Sequence, residues 1–193
     1  MRALLNKLRR RLWRWLFFRM VFGEREHGKN LPNSRIAPST CIEGEHGLSL
    51  ADHVFIGQFN FIDATAGLTI DEGVQITNFV SIVTHSSHRS LRLLGRAYVT
   101  HQGEKPGFVK APIHIGAYAF IGPHSLIEAG AVIGKGAVIS AYSQVRGTVP
   151  DFAIMAGQPA VQIGDVRRAD ARLLAAHPEL QGHYQAWAGE LPT

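Results

Sequence analysis

From Ile115 to Val145 an aliphatic residue stands at every sixth position: Ile115, Ile121, Ile127, Ile133, Ile139 and Val145. Four positions after each of the first five comes a small residue, namely Ala119, Ser125, Ala131, Ala137 and Ser143. Gly116, Gly122 and Gly134 directly follow three of the aliphatics. A helix repeats every ~3.6 residues and a half-buried strand every ~2, so neither produces this period. It requires short strands joined by tight corners, the hexapeptide type of parallel β-helix. The aliphatic side chain points into the coil and stacks on its copies, and the small residue fits inside the corner. Glycine relaxes the backbone where it bends. A β-sandwich would not hold small residues at a fixed offset.

The same rhythm runs earlier, with interruptions. Ile36, Ile42 and Leu48 are followed by a slip of two, then by Leu50, Ile56, Ile62 and Leu68. After a second slip come Ile70, Ile76 and Ile82, while Val54, Asn60, Ala66, Val74 and Val80 fill the offset positions. Asn60 there reads as an inward-facing structural asparagine. Each slip is expected to widen a corner. At about three hexads per coil the chain builds roughly five coils, whose ends must be covered against edge pairing. The rhythm stops after Ile82. Residues 84–112 are long for a connection in a compact repeat, and their aliphatics and Tyr98 predict an ordered arm projecting from the prism. Pro150 ends the second group of repeats. Residues 166–188 read as helical, with Pro178 kinking or restarting the helix. The chain thus divides into 1–34, a basic amphipathic helix and linker; 35–164, the β-helix; and 165–193, a helical extension.

In residues 1–22, Leu4, Leu5, Leu8, Leu12, Leu16 and Met20 recur at helical spacing among Trp13, Trp15, Phe17 and Phe18. No apolar run approaches the ~20 residues that span a bilayer, and the pattern of a secretory signal is not expected here. Seven basic residues precede the first acidic one, Glu24, so the formal net charge of +5 conceals a slightly acidic remainder. Such a helix suits peripheral contact with an anionic membrane, at the inner face of the cytoplasmic membrane; packing on the prism or a neighbouring subunit is the other reading. Nothing downstream supplies a base-reading module, which argues against nucleic acid. Cys41 is the only cysteine, so an internal disulfide and a four-cysteine zinc site are excluded, in keeping with a reducing compartment such as the cytoplasm. No phosphate loop, nucleophile elbow or dinucleotide fingerprint is present.

The stretch from about Ile36 to Gly164 resembles the hexapeptide-repeat acyltransferases of the maltose, galactoside and polysaccharide O-acetyltransferase kind. The likeness is strongest in residues 76–88, 95–98 and 115–164, and VPDFAIMAGQPA (149–160) resembles that family's last-coil ending. It implies an all-β fold, a left-handed parallel β-helix. The hand comes from the resemblance alone, since parallel crossovers are otherwise right-handed. It also implies a homotrimer with sites at subunit boundaries, acetyl-CoA as co-substrate with no permanently bound cofactor, and a histidine base at the start of a protruding loop. The helical segment that opens the maltose-type enzymes is replaced here by the basic aromatic helix. That favours a surface polysaccharide or lipid-linked glycan as acceptor.

A sugar hydroxyl is a poor nucleophile at neutral pH and must lose its proton as it attacks a thioester. Imidazole titrates in the right range to accept it, and direct transfer needs no cysteine or serine nucleophile. The loop offers His85 and His88 in THSSHRS. The family's histidine falls five residues after the repeat anchor; counted from Ile82 that position is Ser87. A one-residue insertion makes His88 the base, the first choice here, whereas alignment on Leu91, Gly95 and Tyr98 favours His85, the second. The resemblance places pantetheine in the groove between neighbouring prisms. Ala141 and Ser143 match the small positions beside it, and Gly157 and Pro159 its end. Lys135, Arg146, Arg167 and Arg168 are candidate partners for the CoA phosphates. Phe120 and Tyr142 are candidates to pack on the ligand, and Asn78 and Tyr98 to contact the acceptor. Two other functions fit the same fold. One is a zinc enzyme resembling the γ-class carbonic anhydrases, for which His85, His88, His101, His114 and His124 are numerous enough but wrongly spaced. The other is a non-catalytic scaffold. No metal site is expected.

Overall fold

The computed structural model describes residues 2–191; Met1, Pro192 and Thr193, which the sequence divisions include in the terminal extensions, lie outside it. The hexads fold into three parallel sheets, one strand of each per coil. Sheet one stacks Arg35–Ile36, Phe55–Ile56, Gln75–Ile76, Phe120–Ile121, Val138–Ile139 and Ala153–Gly157. Sheet two stacks Cys41–Glu43, Phe61–Asp63, Ser81–Ile82, Leu126–Ile127 and Gln144–Val145. Sheet three stacks Leu48–Leu50, Leu68–Ile70, Ile113–Ile115, Val132–Ile133 and Thr148–Val149. This is a left-handed parallel β-helix of five coils. Its core is the column of hexad aliphatics, with Ile56, Ile62, Ile76, Ile82, Ile115, Ile121, Ile127 and Ile139 all excluded from solvent. Each such side chain contributes about 1.5–3 kcal/mol of burial, an upper bound set by the compactness of the unfolded chain.

The slips behave differently from expectation. They lengthen a face of the prism, not a corner. In sheet three both Leu48 and Leu50 are buried with Ser49 outward, and Leu68 with Ile70 and Ile113 with Ile115 repeat the pattern. Two extra residues extend the strand by one inward–outward pair and keep the aliphatics inside. The register shows the consequence. Ile36 lies beside Ile56 and Ile56 beside Ile76, twenty residues per coil, whereas Ile121 lies beside Ile139, eighteen residues on.

Asn60 sits buried at a corner between sheets one and two. Its Nδ2 donates to Gly57 O at 3.0 Å and Thr77 O at 2.8 Å, and its Oδ1 accepts from Val80 N at 2.7 Å. It therefore ties one coil to the next. Asn60→Ala leaves Thr77 O and Val80 N without these partners, at about 1–3 kcal/mol for each one left unsatisfied, while Gly57 O keeps Thr40 Oγ1 as a donor at 2.7 Å. The expected result is a clear fall in the urea midpoint with an unchanged slope; an unaltered midpoint would show that water replaces the amide.

The outer side of the same corner carries a column of rings. Phe59, Phe79, His124 and Tyr142 all take positive φ, between 58° and 60°, which is unusual for bulky residues. The turn aims each ring along the prism edge, onto its neighbour. Centroids are 5.2 Å apart for Phe59–Phe79, 4.9 Å for Phe79–His124 and 4.8 Å for His124–Tyr142, with nearly parallel planes. Phe18 continues the column edge-on to Phe59 at 5.5 Å.

Both ends of the prism are covered. At the first coil a hairpin of Glu24–Glu26 and Lys29–Leu31 buries Leu31. At the last, Ala160–Asp165 folds back antiparallel on Ala153–Gly157. Three of the four helices lie outside the repeats in the chain order: α1 (Arg2–Phe17) precedes the hairpin, and α3 (Arg167–Ala176) and α4 (Gln181–Ala188) follow the last strand. A 3-10 turn at Pro178–Leu180 separates α3 from α4, and Trp187 of α4 packs on Tyr118 and Phe152. The remaining helix, α2 (His88–Leu94), lies in the arm.

Candidate active site

The chain leaves the prism at the corner between sheets two and three. His85–Ser86 pairs antiparallel with Val109–Lys110, so the arm starts and ends on a two-stranded stem. From the stem rise α2 and a 3-10 turn, Gly95–Tyr98. Ser90 of α2 is buried and donates from Oγ to Pro106 O at 2.8 Å, which folds the outgoing and returning halves together.

Below the stem lies Asp63, at the end of its sheet-two strand and almost wholly buried. Oδ1 accepts from Thr65 N at 2.9 Å and Thr65 Oγ1 at 2.6 Å; Oδ2 accepts from Thr84 N at 2.9 Å and Thr84 Oγ1 at 2.7 Å. Burial alone would raise the carboxyl's pKa, but these four hydrogen bonds together outweigh it and hold the group well below its ordinary value of 3.8. Asp63 is therefore ionised at neutral pH, and a carboxylate can only accept. His85 Nδ1, 2.7 Å from Asp63 Oδ2, is accordingly the protonated ring nitrogen. The imidazole also stacks on Phe108, centroids 5.6 Å apart and planes 11° off parallel. Carboxylate and ring together fix its tautomer and its plane. Nε2 has no hydrogen bond among the described residues and is left free to take a proton.

His88 stands at the start of α2, exposed, with Nδ1 2.7 Å from Ser86 Oγ. It has no carboxylate partner among the described residues. Both histidines line one cavity of about 680 Å³, whose other polar walls are Ser86, Arg89, Glu128 and Arg146. Arg146 Nε pairs with Glu128 Oε2 at 2.9 Å, and Gln144 Nε2 also donates to Glu128. The cavity thus combines one imidazole oriented by a carboxylate, one exposed imidazole beside a serine hydroxyl, and charges of both signs. That arrangement suits proton abstraction from a polar acceptor.

Residues 112–147 match the family model of the bacterial transferase hexapeptide, six repeats. That stretch carries the hexapeptide repeat of bacterial transferases. Over 116 residues it is 29% identical to a probable acetyltransferase of Mycobacterium tuberculosis, covering 60% of this chain and 36% of that protein. Over 122 residues it is 25% identical to the dTDP-4-amino-4,6-dideoxy-D-glucose acyltransferase of Escherichia coli, covering 63% and 62%. The chain therefore spans about a third of the first relative and less than two thirds of the second. Among solved structures, the N-acyltransferase AntD of Bacillus cereus, in complex with dTDP and 3-hydroxybutyryl-CoA, shares the fold with a TM-score of 0.52. That match has 18% identity and covers 78% of this chain and 89% of AntD.

In this hexapeptide-repeat protein the residues predicted to bind CoA occupy three different corners. Arg146 lies with the histidines. Ala141, Tyr142 and the buried Ser143 lie on the ring-column corner, and Phe120 faces outward from sheet one. Lys135 and Arg167 are at the third corner. Lys135 Nζ donates to Ala188 O at 3.2 Å, and Arg167 Nε donates to both oxygens of Asp165, at 2.9 and 3.1 Å. Arg167 also lies over the Phe152 ring. Both cations thus have partners within the chain; Arg168 is exposed in α3. Gly157 and Pro159 flank the turn of the last hairpin. Asn78 caps a corner, its Oδ1 accepting from Gln58 N at 2.7 Å, and Tyr98 carries Lys105 Nζ 5.2 Å over its ring. Neither lines the histidine cavity. Among the described residues no group of three His, Cys, Asp or Glu side chains is placed to hold a metal ion; His114, for one, is paired at 2.8 Å with Asp71 on sheet three.

The sequence pattern does not mark Asp63, Thr65 or Thr84 as functional. The signal that exists is the twenty-residue coil, which sets Asp63 near the residues two to three positions past Ser81 on the next coil.

Proposed function

We propose that this chain is an acetyl-CoA-dependent O-acetyltransferase acting on a sugar hydroxyl of a surface polysaccharide or lipid-linked glycan, with His85 as general base. The single observation that carries the reading is the buried Asp63 carboxylate holding Nδ1–H of His85 at 2.7 Å beside an open cavity. His85 Nε2 takes the hydroxyl proton as the oxygen attacks the thioester carbonyl. The tetrahedral intermediate collapses, the carbon–sulfur bond breaks, and the departing thiolate takes the proton back from the imidazolium. Asp63 stabilises that imidazolium without itself becoming protonated, as in other carboxylate–histidine pairs.

His88 and Arg89, rising on α2 from the cavity wall, are suited to contact the acceptor. The dispersal of the predicted CoA contacts over three corners supports a homotrimer, in which a groove between prisms takes one corner from each of two chains. An amino-sugar acceptor is the second reading, favoured by the likeness to the Escherichia coli enzyme named above. Calorimetric titration with acetyl-CoA, alongside free CoA, tests the donor. Saturable binding near one site per chain is expected, and no binding up to millimolar ligand would sink the reading. Thiol release over a panel of sugars and amino sugars then separates oxygen from nitrogen acceptors. A scaffold protein would release none.

A further inference from the structure

Helix α1 touches nothing that explains its composition. None of its residues is buried. Its large apolar side chains are between 44% and 65% exposed, a value normal for surface lysine but not for a cluster of leucine and tryptophan. Most share one face: at 100° per residue, Leu4, Leu5, Leu8, Leu12, Trp15 and Leu16 fall within an arc of about 120°, while Trp13 and Phe17 lie outside it, packed on each other with ring centroids 4.2 Å apart. Arg9 and Arg11 border that arc on its two sides, and Lys7, Arg10 and Arg14 occupy the far face by the same count. No acidic residue appears before Glu24, so the seven basic residues ahead of it leave the rest of the chain, from a total of +5, with a net −2.

The helix is nevertheless not free to wander. Phe18, just past its end, rests on Phe59 at the foot of the ring column, and Gln58 Nε2 donates to Phe18 O at 3.2 Å. The prism therefore presents α1 from the foot of that column. We propose that α1 docks the protein onto an anionic phospholipid surface, lying in the interface with its leucine face among the acyl chains and its cations on the lipid phosphates. Charge complementarity selects this occupant. A second copy of α1 would bring six like charges against six, whereas a bilayer bearing anionic headgroups satisfies both faces at once. The weakly acidic prism would be repelled by the same surface, so α1 must supply the attraction. Among the described residues no helix is long and apolar enough to cross a membrane, so the contact is one of lying on the surface. This inference does not depend on the acyltransfer reading, because its test involves no turnover.

The test is flotation of the full chain with phosphatidylcholine vesicles, with and without phosphatidylglycerol. Binding to the anionic vesicles, reversed by salt and accompanied by a blue shift in tryptophan emission, is expected. Arg9→Gln combined with Arg11→Gln should weaken partition by about 25-fold, roughly fivefold per cation. Leu8→Glu with Leu12→Glu should abolish it. Both variants should keep the parental thermal midpoint, since α1 lies outside the core. Equal binding to neutral vesicles, or binding that survives the leucine substitutions, overturns the proposal. So does binding of duplex DNA without vesicle binding, or a fall in oligomeric mass in Leu8→Glu/Leu12→Glu, which would assign the face to a second copy of the chain.

Discussion

His85→Ala is expected to lower the rate of acetyl transfer to the acceptor, read as release of free CoA, about 10²–10⁴-fold, the range for removal of a positioned general base. The affinity for acetyl-CoA should stay at the parental level, because the imidazole acts on the acceptor proton and not on the donor. His88→Ala should keep most of the turnover and raise KM for the acceptor. The two side chains differ in what holds them. His85 is fixed by a buried carboxylate and a stacked ring, so no ordering of the base remains to be done at the moment of reaction. His88 is exposed at a helix start, with only a serine hydroxyl beside Nδ1 and no carboxylate partner among the described residues. Single-turnover kinetics of the two alanine variants decide the matter. If His88→Ala is the dead variant and His85→Ala remains active, the assignment of the base is wrong.

Asp63→Asn should be nearly as damaging, by a different route. The carboxylate accepts five hydrogen bonds, two from Thr65, two from Thr84 and one from His85. An amide has one acceptor oxygen and turns an NH₂ toward groups that are themselves donors. Some buried donors then go unsatisfied, at about 1–3 kcal/mol each, and the imidazole loses the partner that fixes its tautomer. The expected signature is a fall in kcat with an unchanged KM for acetyl-CoA. A double-mutant cycle with His85→Ala separates positioning from stability, because in the absence of His85 the Asp63→Asn substitution should cost no further activity. A full additional loss in the double variant would reduce Asp63 to a structural role.

The same carboxylate predicts an acid dependence. Its pKa in the folded protein lies below the ordinary 3.8 of the unfolded chain. The stabilisation it provides is therefore complete above that value and is lost as pH falls below it, through the folded pKa. Thermal midpoints measured down through this window should drop for the parent and vary less for Asp63→Asn. Parallel curves for the two proteins would mean that Asp63 carries no linked stability.

The functional loop is only partly legible in the sequence. THSSHRS at the break in the rhythm is visible as a site, because a long interruption in a strict repeat has few structural reasons to exist. The order of merit between the two histidines is not visible. It depends on Asp63, which is 22 positions before His85 and touches it only through coil stacking. Counting eighteen residues per coil would set Asp63 against Ser81. The actual twenty in this part of the prism set it near Thr84 and His85. Tyr142 is a similar case: its ring is legible as a surface aromatic, while its place at the end of a stack with His124, Phe79 and Phe59 requires the corner geometry.

The three-sided coil, its inward column, the arm and the amphipathic character of α1 are all written in the linear sequence. Each follows from a local period, and a period fixes which side chains face the same way whatever lies beyond. Which coil lies over which residue is settled in three dimensions alone. The slips added two residues to the strands of sheet three, changed the stacking offset from eighteen to twenty, and so delivered a buried carboxylate to one histidine and not the other. The reason is that contacts between coils depend on the total length of each turn. That length is a sum over strands and corners, and no single repeat contains it.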